Sequence, residues 1–316
     1  MADEEPTADE VPTVDPVSRS DRQGAEVAVP PDRGDELDAI LAHMHDRIAE
    51  LRRAGDDRRV FLSVYATMTG AIHDGVHDGR FMDPGWTALL TARFASLYFD
   101  AEHRWDAGDE TCPRAWQAAF AATGRPRISA VEHALLGINA HIVYDLPFAV
   151  ADTMRAAGDV RDGRLQGDTL VRRRHDYEVV NHLLAETIDD AQAVLARESR
   201  VSAVLDRLAL RLDDYAAEAL LRASRTQGWH NALALAVARD DAERDAVRAH
   251  LDRVACGYVQ RIDVTQFVPG VGARRLLARY RPPFTAVIAS GIDATDGEVA
   301  RRRNRSAPPG GLRGRH

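Results

Sequence analysis

Residues 131–147 read Val131-Glu132-His133-Ala134-Leu135-Leu136-Gly137-Ile138-Asn139-Ala140-His141-Ile142-Val143-Tyr144-Asp145-Leu146-Pro147. Two patterns run through this stretch at helical spacing. Val131, Leu135, Ile138 and Ile142 make an apolar stripe. His133, Gly137, His141 and Asp145 make another, stepping by four. Residues four apart share a helix face one turn up, so His141 and Asp145 are within reach of each other. Ser129 and Glu132 stand ahead of the run as a capping-box pair. The spacing predicts a buried helix over about 130–146. Pro147 is expected to end or kink it, because its ring and missing N–H oppose continuation. Polar groups in so apolar a helix must find partners or stay costly.

The neighbouring segments repeat the helical period. Residues 36–53 place Leu37, Ile40, Leu41, Met44, Ile48 and Leu51 on one stripe. A second helix, from about Arg59 to Asp74, carries Val60, Val64, Met68 and Ile72, with Gly75 and Gly79 as candidate stops. Asp83-Pro84 reads as an N-cap oxygen followed by proline in the first turn. Pro113 opens a helix bearing Trp116 and Phe120. One helix is expected over 169–197, and others over 201–225, 228–238 and 241–259. Residues 264–285 are less regular and read as an extended segment over the bundle. No repeat of 20–50 residues and no strand–helix alternation is present. The expectation is one all-α, bundle-like domain of about eight helices over residues 34–285. A disordered acidic tail (1–33) and a disordered basic tail (286–316) are expected to flank it.

Composition narrows the classes. The 316 residues are 45% hydrophobic and 28% charged, enough to bury a core without disulfide or metal staples. Net charge is −8, with nine acids against three arginines in residues 1–33 and six arginines with no acid in 299–316. The acidic stretch between them opposes a nucleic-acid-binding face. No apolar run approaches the roughly 18 residues of a membrane span, and no secretory signal is evident. A cytoplasmic protein acting on a small-molecule substrate or ligand is therefore expected. All 41 basic residues are arginine, which removes Schiff-base chemistry and the phosphate-binding P-loop lysine. Cys112 and Cys256 are too few for a cysteine-rich zinc site and read as ordinary thiols.

His141 and Asp145 are the strongest site candidates. They can bind one metal ion or share a proton; the alternative is a hydrogen-bonded polar layer. His73 and His77 are also four apart, good ligand spacing. His175, His182 and Glu186 lie on one face over three turns, with Glu178 between them. The expected metal shell is His141 and Asp145, completed by His175 or His182 and by His73, around zinc, iron or manganese. Asn139 and His133 are expected beside it as supporting catalytic groups. Gly137 is expected to permit close approach of a neighbouring helix or a ligand. Sequences of the G-x-S-x-G, G-x-x-x-x-G-K and H-E-x-x-H types are missing. Asp213 and Asp214 with Glu218 resemble the magnesium–diphosphate cluster of helical isoprenoid enzymes. The second motif expected with it is not present, and aromatics are only 6%, thin for guiding carbocations.

Leu136-Gly137-Ile138-Asn139-Ala140-His141-Ile142-Val143-Tyr144-Asp145-Leu146-Pro147 resembles a family of unknown function seen mainly in actinobacteria, domain-of-unknown-function family 5995. Val64–Thr69, Phe94–Phe99 and Ala115-Trp116 are consistent with it, so the resemblance covers most of residues 37–260. The family name implies no activity. His141–Pro147 is also loosely similar to helical zinc phospholipase C and single-strand nuclease enzymes. That similarity implies several such ligands and the amino group of a mature N-terminal residue, where this chain has an acidic tail. Together the residues predict a metal-dependent hydrolase of an ester or phosphoester. The alternative is a non-enzymatic small-molecule-binding protein with a buried polar network; a helical isoprenoid-diphosphate enzyme comes third.

Overall fold

The apolar run of residues 131–147 becomes the axis of the molecule. The structure, a computed structural model, describes residues 31–123, 125, 128–198 and 214–262. Helix α5 (Ala130–Asn139), a π-helical turn (Ala140–Asp145) and α6 (Leu146–Ala156) form one continuous rod of 27 residues. The capping box forms: Ser129 Oγ accepts from the Glu132 N–H at 3.2 Å, and Glu132 Oε2 accepts from the Ser129 N–H at 2.8 Å. Of the two outcomes expected at Pro147, an end does not occur, but α geometry gives way to the π turn directly before it. In the π turn the Leu146 N–H bonds to the His141 carbonyl, five residues back. The widened turn places Pro147 in the first turn of α6, where a missing N–H costs little.

Among the described helices the rod alone is long and apolar enough to cross a bilayer by length and composition. Its 18-residue window of mean hydropathy 1.4 meets that test by length and composition, and 78% of the window is buried inside the protein. The rod touches α2, α3, α4, α8, α9 and α10, whose ranges follow. Most of it is apolar because it has neighbours on most sides, while Glu132, Asp152 and Arg155 are half-buried or exposed.

Around it lie α1 (Pro31–Ala54), α2 (Arg58–His77), α3 (Pro84–Asp106) and α4 (Arg114–Ala122). Helix α1 begins before the expected boundary at residue 34. Asp83 caps α3 by accepting from the Trp86 N–H at 2.9 Å. Gly75 does not stop α2: a Cβ there would lie 2.7 Å from Leu183 Cδ1, so it marks a close helix contact. Gly79, at φ +66°, is the left-handed residue beyond the helix end.

A short hairpin that the helical reading did not anticipate follows the rod. Strands β1 (Val160–Arg161) and β2 (Arg164–Leu165) pair antiparallel around Asp162-Gly163, both at positive φ. The helix expected over 169–197 is two helices, α7 (Gly167–Glu186) and α8 (Ile188–Glu198). They part at Thr187, whose hydroxyl donates to the Leu183 carbonyl at 2.6 Å. Helix α9 (Asp214–Ala236) runs through Gly228 instead of starting there. A Cβ at Gly228 would lie 3.2 Å from Leu146 Cδ2, so the glycine lets α9 lie close on the rod. Helix α10 (Asp241–Ile262) starts at the expected cap, with Asp240 Oδ1 accepting from the Glu243 N–H at 2.9 Å. Residues 201–213 of the helix expected over 201–225, the extended segment 264–285 and both tails, apart from residues 31–33 in α1, lie outside the described residues. The described residues are all-α except for the hairpin.

The core joins the rod to every layer. Trp116, Tyr98, Tyr177, Leu62, Met154 and Leu251 are fully buried. Burying each such side chain contributes on the order of 1.5–3 kcal/mol. The aromatic part of this core surrounds His141.

Candidate functional site: a histidine–aspartate pair in an aromatic wall

His141 and Asp145 both lie in the π turn and are each 2% exposed. His141 Nδ1 sits 2.9 Å from Asp145 Oδ2. The same oxygen accepts from the Trp116 indole N–H at 2.8 Å. Indole nitrogen is a donor only, so it fixes Oδ2 as an acceptor. With Asp145 ionised, the imidazole proton lies on Nδ1 and is donated to that same oxygen. Nε2 is then an acceptor, and it is buried with no hydrogen-bond partner among the described residues. π turns recur at functional sites, and a buried polar atom left unpaired in a native structure calls for a reason.

Three helices supply the wall. Phe94 of α3 stacks on the imidazole, 3.5 Å between centroids and 8° between planes. Tyr65 of α2 meets it edge-on at 4.5 Å, and Phe61 of α2 and Trp116 of α4 lie at 5.8 Å. Tyr98 of α3 closes the ring at 6.5 Å. Phe61 and Tyr65 are four apart, as are Phe94 and Tyr98, so each pair lies along one helix face, and the Phe61 and Tyr65 rings stack at 5.7 Å. Phe94 is the half-buried member and the cover nearest solvent. Beside the wall, Asp57, Arg58 and His133 rim an open cleft floored by Phe61, Tyr98 and Trp116, with room for about one water.

Burial sets the electrostatics. It pushes the His141 pKa well below the usual imidazole range, with the Arg225 charge adding to the effect. The ring is therefore neutral at neutral pH. Burial pushes Asp145 well above the ordinary carboxylate range, against the Trp116 hydrogen bond. Burial, then the Asp145 carboxylate, raises the Tyr65 phenol. With Asp145 ionised, the neutral imidazole keeps an acceptor at Nε2 that can take a hydrogen bond or a proton from a bound hydroxyl or N–H.

The other expected site residues do not join this pair. Asn139 donates from Nδ2 to the Ala255 carbonyl at 3.0 Å, tying the rod to α10 and not to His141. His133 is buried with its Nε2 3.8 Å from Asp57 Oδ2, at the cleft. Burial lowers its pKa, against the pull of Asp57. Gly137 serves helix approach: a Cβ there would lie 2.3 Å from Phe61 Cγ. His73 lies between α1 and α2 with its Nε2 2.8 Å from Asp38 Oδ1. His175 and His182 are exposed on α7, and His175 Nδ1 is 3.2 Å from Asp176 Oδ1. Glu178 and Glu186 pair instead with Arg174 and Arg80. The expected shell thus does not assemble around His141 among the described residues. The side chains of Asp213, Asp214 and Glu218 lie outside those residues. Burial pushes the Cys112 thiol up to about 11 and also raises Cys256, so neither is an activated nucleophile.

Two contributions escaped the sequence reading. Trp116 and the flanking aromatics were legible only as core, although Phe61/Tyr65, Phe94/Tyr98 and Trp116/Phe120 share the four-residue spacing of His141/Asp145. Asp176 is fully buried and accepts from the Met82 and Asp83 N–H groups, both at 2.8 Å, fixing the turn into α3.

Residues 37–263 match a protein family described as a family of unknown function, DUF5995, and the chain belongs to that family. No curated protein and no solved structure matches the chain.

Proposed function

We propose that this is a non-enzymatic helical small-molecule-binding protein whose recognition centre is His141 within its aromatic wall. The observation that carries the reading is the Nε2 of His141, buried without a partner among the described residues, while Asp145 and Trp116 hold the other side of the ring. The ligand class follows from the wall. It is a small, flat, mostly apolar molecule with one hydroxyl or N–H aimed at Nε2, entering by displacement of the Phe94 ring. Thermal melts with phenol, indole and the methyl ether anisole as probes test this. Phenol or indole is expected to stabilise the wild type more than anisole does. His141→Phe is expected to erase that difference. Equal effects of all three probes on the wild type, or differences kept by the variant, would overturn the reading.

A metal-dependent hydrolase of esters or phosphoesters is the second reading. One observation favours it: a carboxylate behind Nδ1 is how outer groups orient a metal-binding imidazole. In that role Asp145 would hold His141 and would not itself be a ligand. The donor set does not fit a hydrolytic centre, which takes three protein ligands. Among the described residues, no third His, Cys, Asp or Glu joins His141 and Asp145 within ligand distance.

A further inference from the structure

A second cluster lies apart from His141, between the first two helices. His73 and His77 are four apart at the end of α2, their rings 4.4 Å apart. Asp38 reaches them from α1, its Oδ1 2.8 Å from His73 Nε2. The three ligand atoms all lie within 4.8 Å of one another. On the far side of the His73 ring, Nδ1 is 3.0 Å from Asp74 Oδ1. Helix α1 passes beside the exposed His77, since a Cβ at Gly34 would lie 3.6 Å from its Cε1.

We propose that Asp38, His73 and His77 form a divalent transition-metal site of the zinc class, bridging α1 and α2. Two imidazoles and one carboxylate are a donor set that suits zinc, cobalt or nickel over magnesium or calcium. Tetrahedral zinc, with bonds of about 2.0–2.2 Å, holds its ligand atoms roughly 3.3 Å apart. The atoms here need to move by about an ångström, within the reach of side-chain rotation at the surface. Asp38 is 63% exposed and His73 19%. Asp74 supplies the carboxylate that orients a metal-bound imidazole, holding Nδ1 so that Nε2 faces the ion. Three protein ligands leave a fourth position for water, which makes this an accessible site and not a closed structural one. Without the ion the cluster is an ordinary surface arrangement of histidines and carboxylates, and that is the competing explanation. The site is independent of the reading of His141.

Cobalt(II) titration of the metal-stripped full chain at neutral pH, followed by visible absorption, tests it, with zinc competition to give the affinity. One equivalent is expected to bind. His77→Ala and Asp38→Asn are each expected to weaken zinc by at least about tenfold, while His141→Phe leaves the affinity unchanged. Zinc is also expected to raise the melting temperature of the wild type, because it joins two helices, and not that of His77→Ala. Asp38 and His77 are at the surface and His141 is in the core, so unchanged circular dichroism is required of all three variants to confirm that they fold. No binding by the wild type, or affinity unchanged in His77→Ala or Asp38→Asn, would overturn the proposal. So would loss of binding in His141→Phe, which would put the ion in the core.

Discussion

At the scale of the residue, His133 shows what burial does to a titrating group near the cleft. Its pKa lies below 6.5 because burial disfavours the cation more than Asp57 and Glu132 favour it. The unfolded chain therefore takes up a proton at this ring near pH 6.5 while the folded chain does not. Stability linked to His133 is complete above pH 6.5 and falls as pH drops from there toward the folded-state pKa. The slope is at most about 1.4 kcal/mol per pH unit. In urea melts between pH 7.5 and 5, His133→Asn is expected to lose less stability with acid than the wild type does. Parallel profiles would show that the folded imidazole titrates normally. His141 is shifted in the same direction, but Asp145 is shifted oppositely and shares its hydrogen bond. His133 is thus the cleaner reporter.

At the scale of the element, the spacing of helices around the rod depends on missing side chains. Gly137 brings α5 against α2 so closely that an alanine methyl would sit 2.3 Å from Phe61 Cγ and 2.8 Å from its Cβ. The Phe61 ring has nowhere simple to go, being packed among Tyr65, Tyr98, Trp116 and His141. Alanine gains about 1 kcal/mol in helix propensity. Overpacking costs about 1–3 kcal/mol, and the wall holding Phe61 puts this site at the costly end. Gly137→Ala is expected to lower the urea midpoint, and an unchanged or higher midpoint would contradict the packing. Element identity was largely legible, because stripes such as Leu37–Leu51 and caps such as Ser129/Glu132 are local signals. Element ends were less so. Pro147 reads as a break because sequence rules assume α geometry, and only the π turn accommodates it. The chain leaves helical geometry at Thr187, where φ is −96° and ψ is 0°, and the apolar period does not reveal it. Gly75 and Gly228 look like ends and are close helix contacts.

At the scale of the whole molecule, the site exists only where helices distant in sequence converge. The pairing of His141 with Asp145 was readable from their spacing. Trp116, 29 residues before Asp145, and the Phe61 and Phe94 rings were not, because their meeting is set by packing. His73 pairs with Asp38 and His77, and His175 with Asp176, so among the described residues neither contacts His141 or Asp145. What results is a neutral imidazole, held by a carboxylate and an indole, with its second nitrogen open inside an aromatic shell. Long-range ¹⁵N–¹H correlation of the His141 ring in the intact chain tests that claim most directly. A neutral ring protonated at Nδ1, with an unprotonated Nε2 that persists from pH 8 down to pH 5, is the result expected. A proton on Nε2, or an imidazolium forming near pH 6.5, would contradict it.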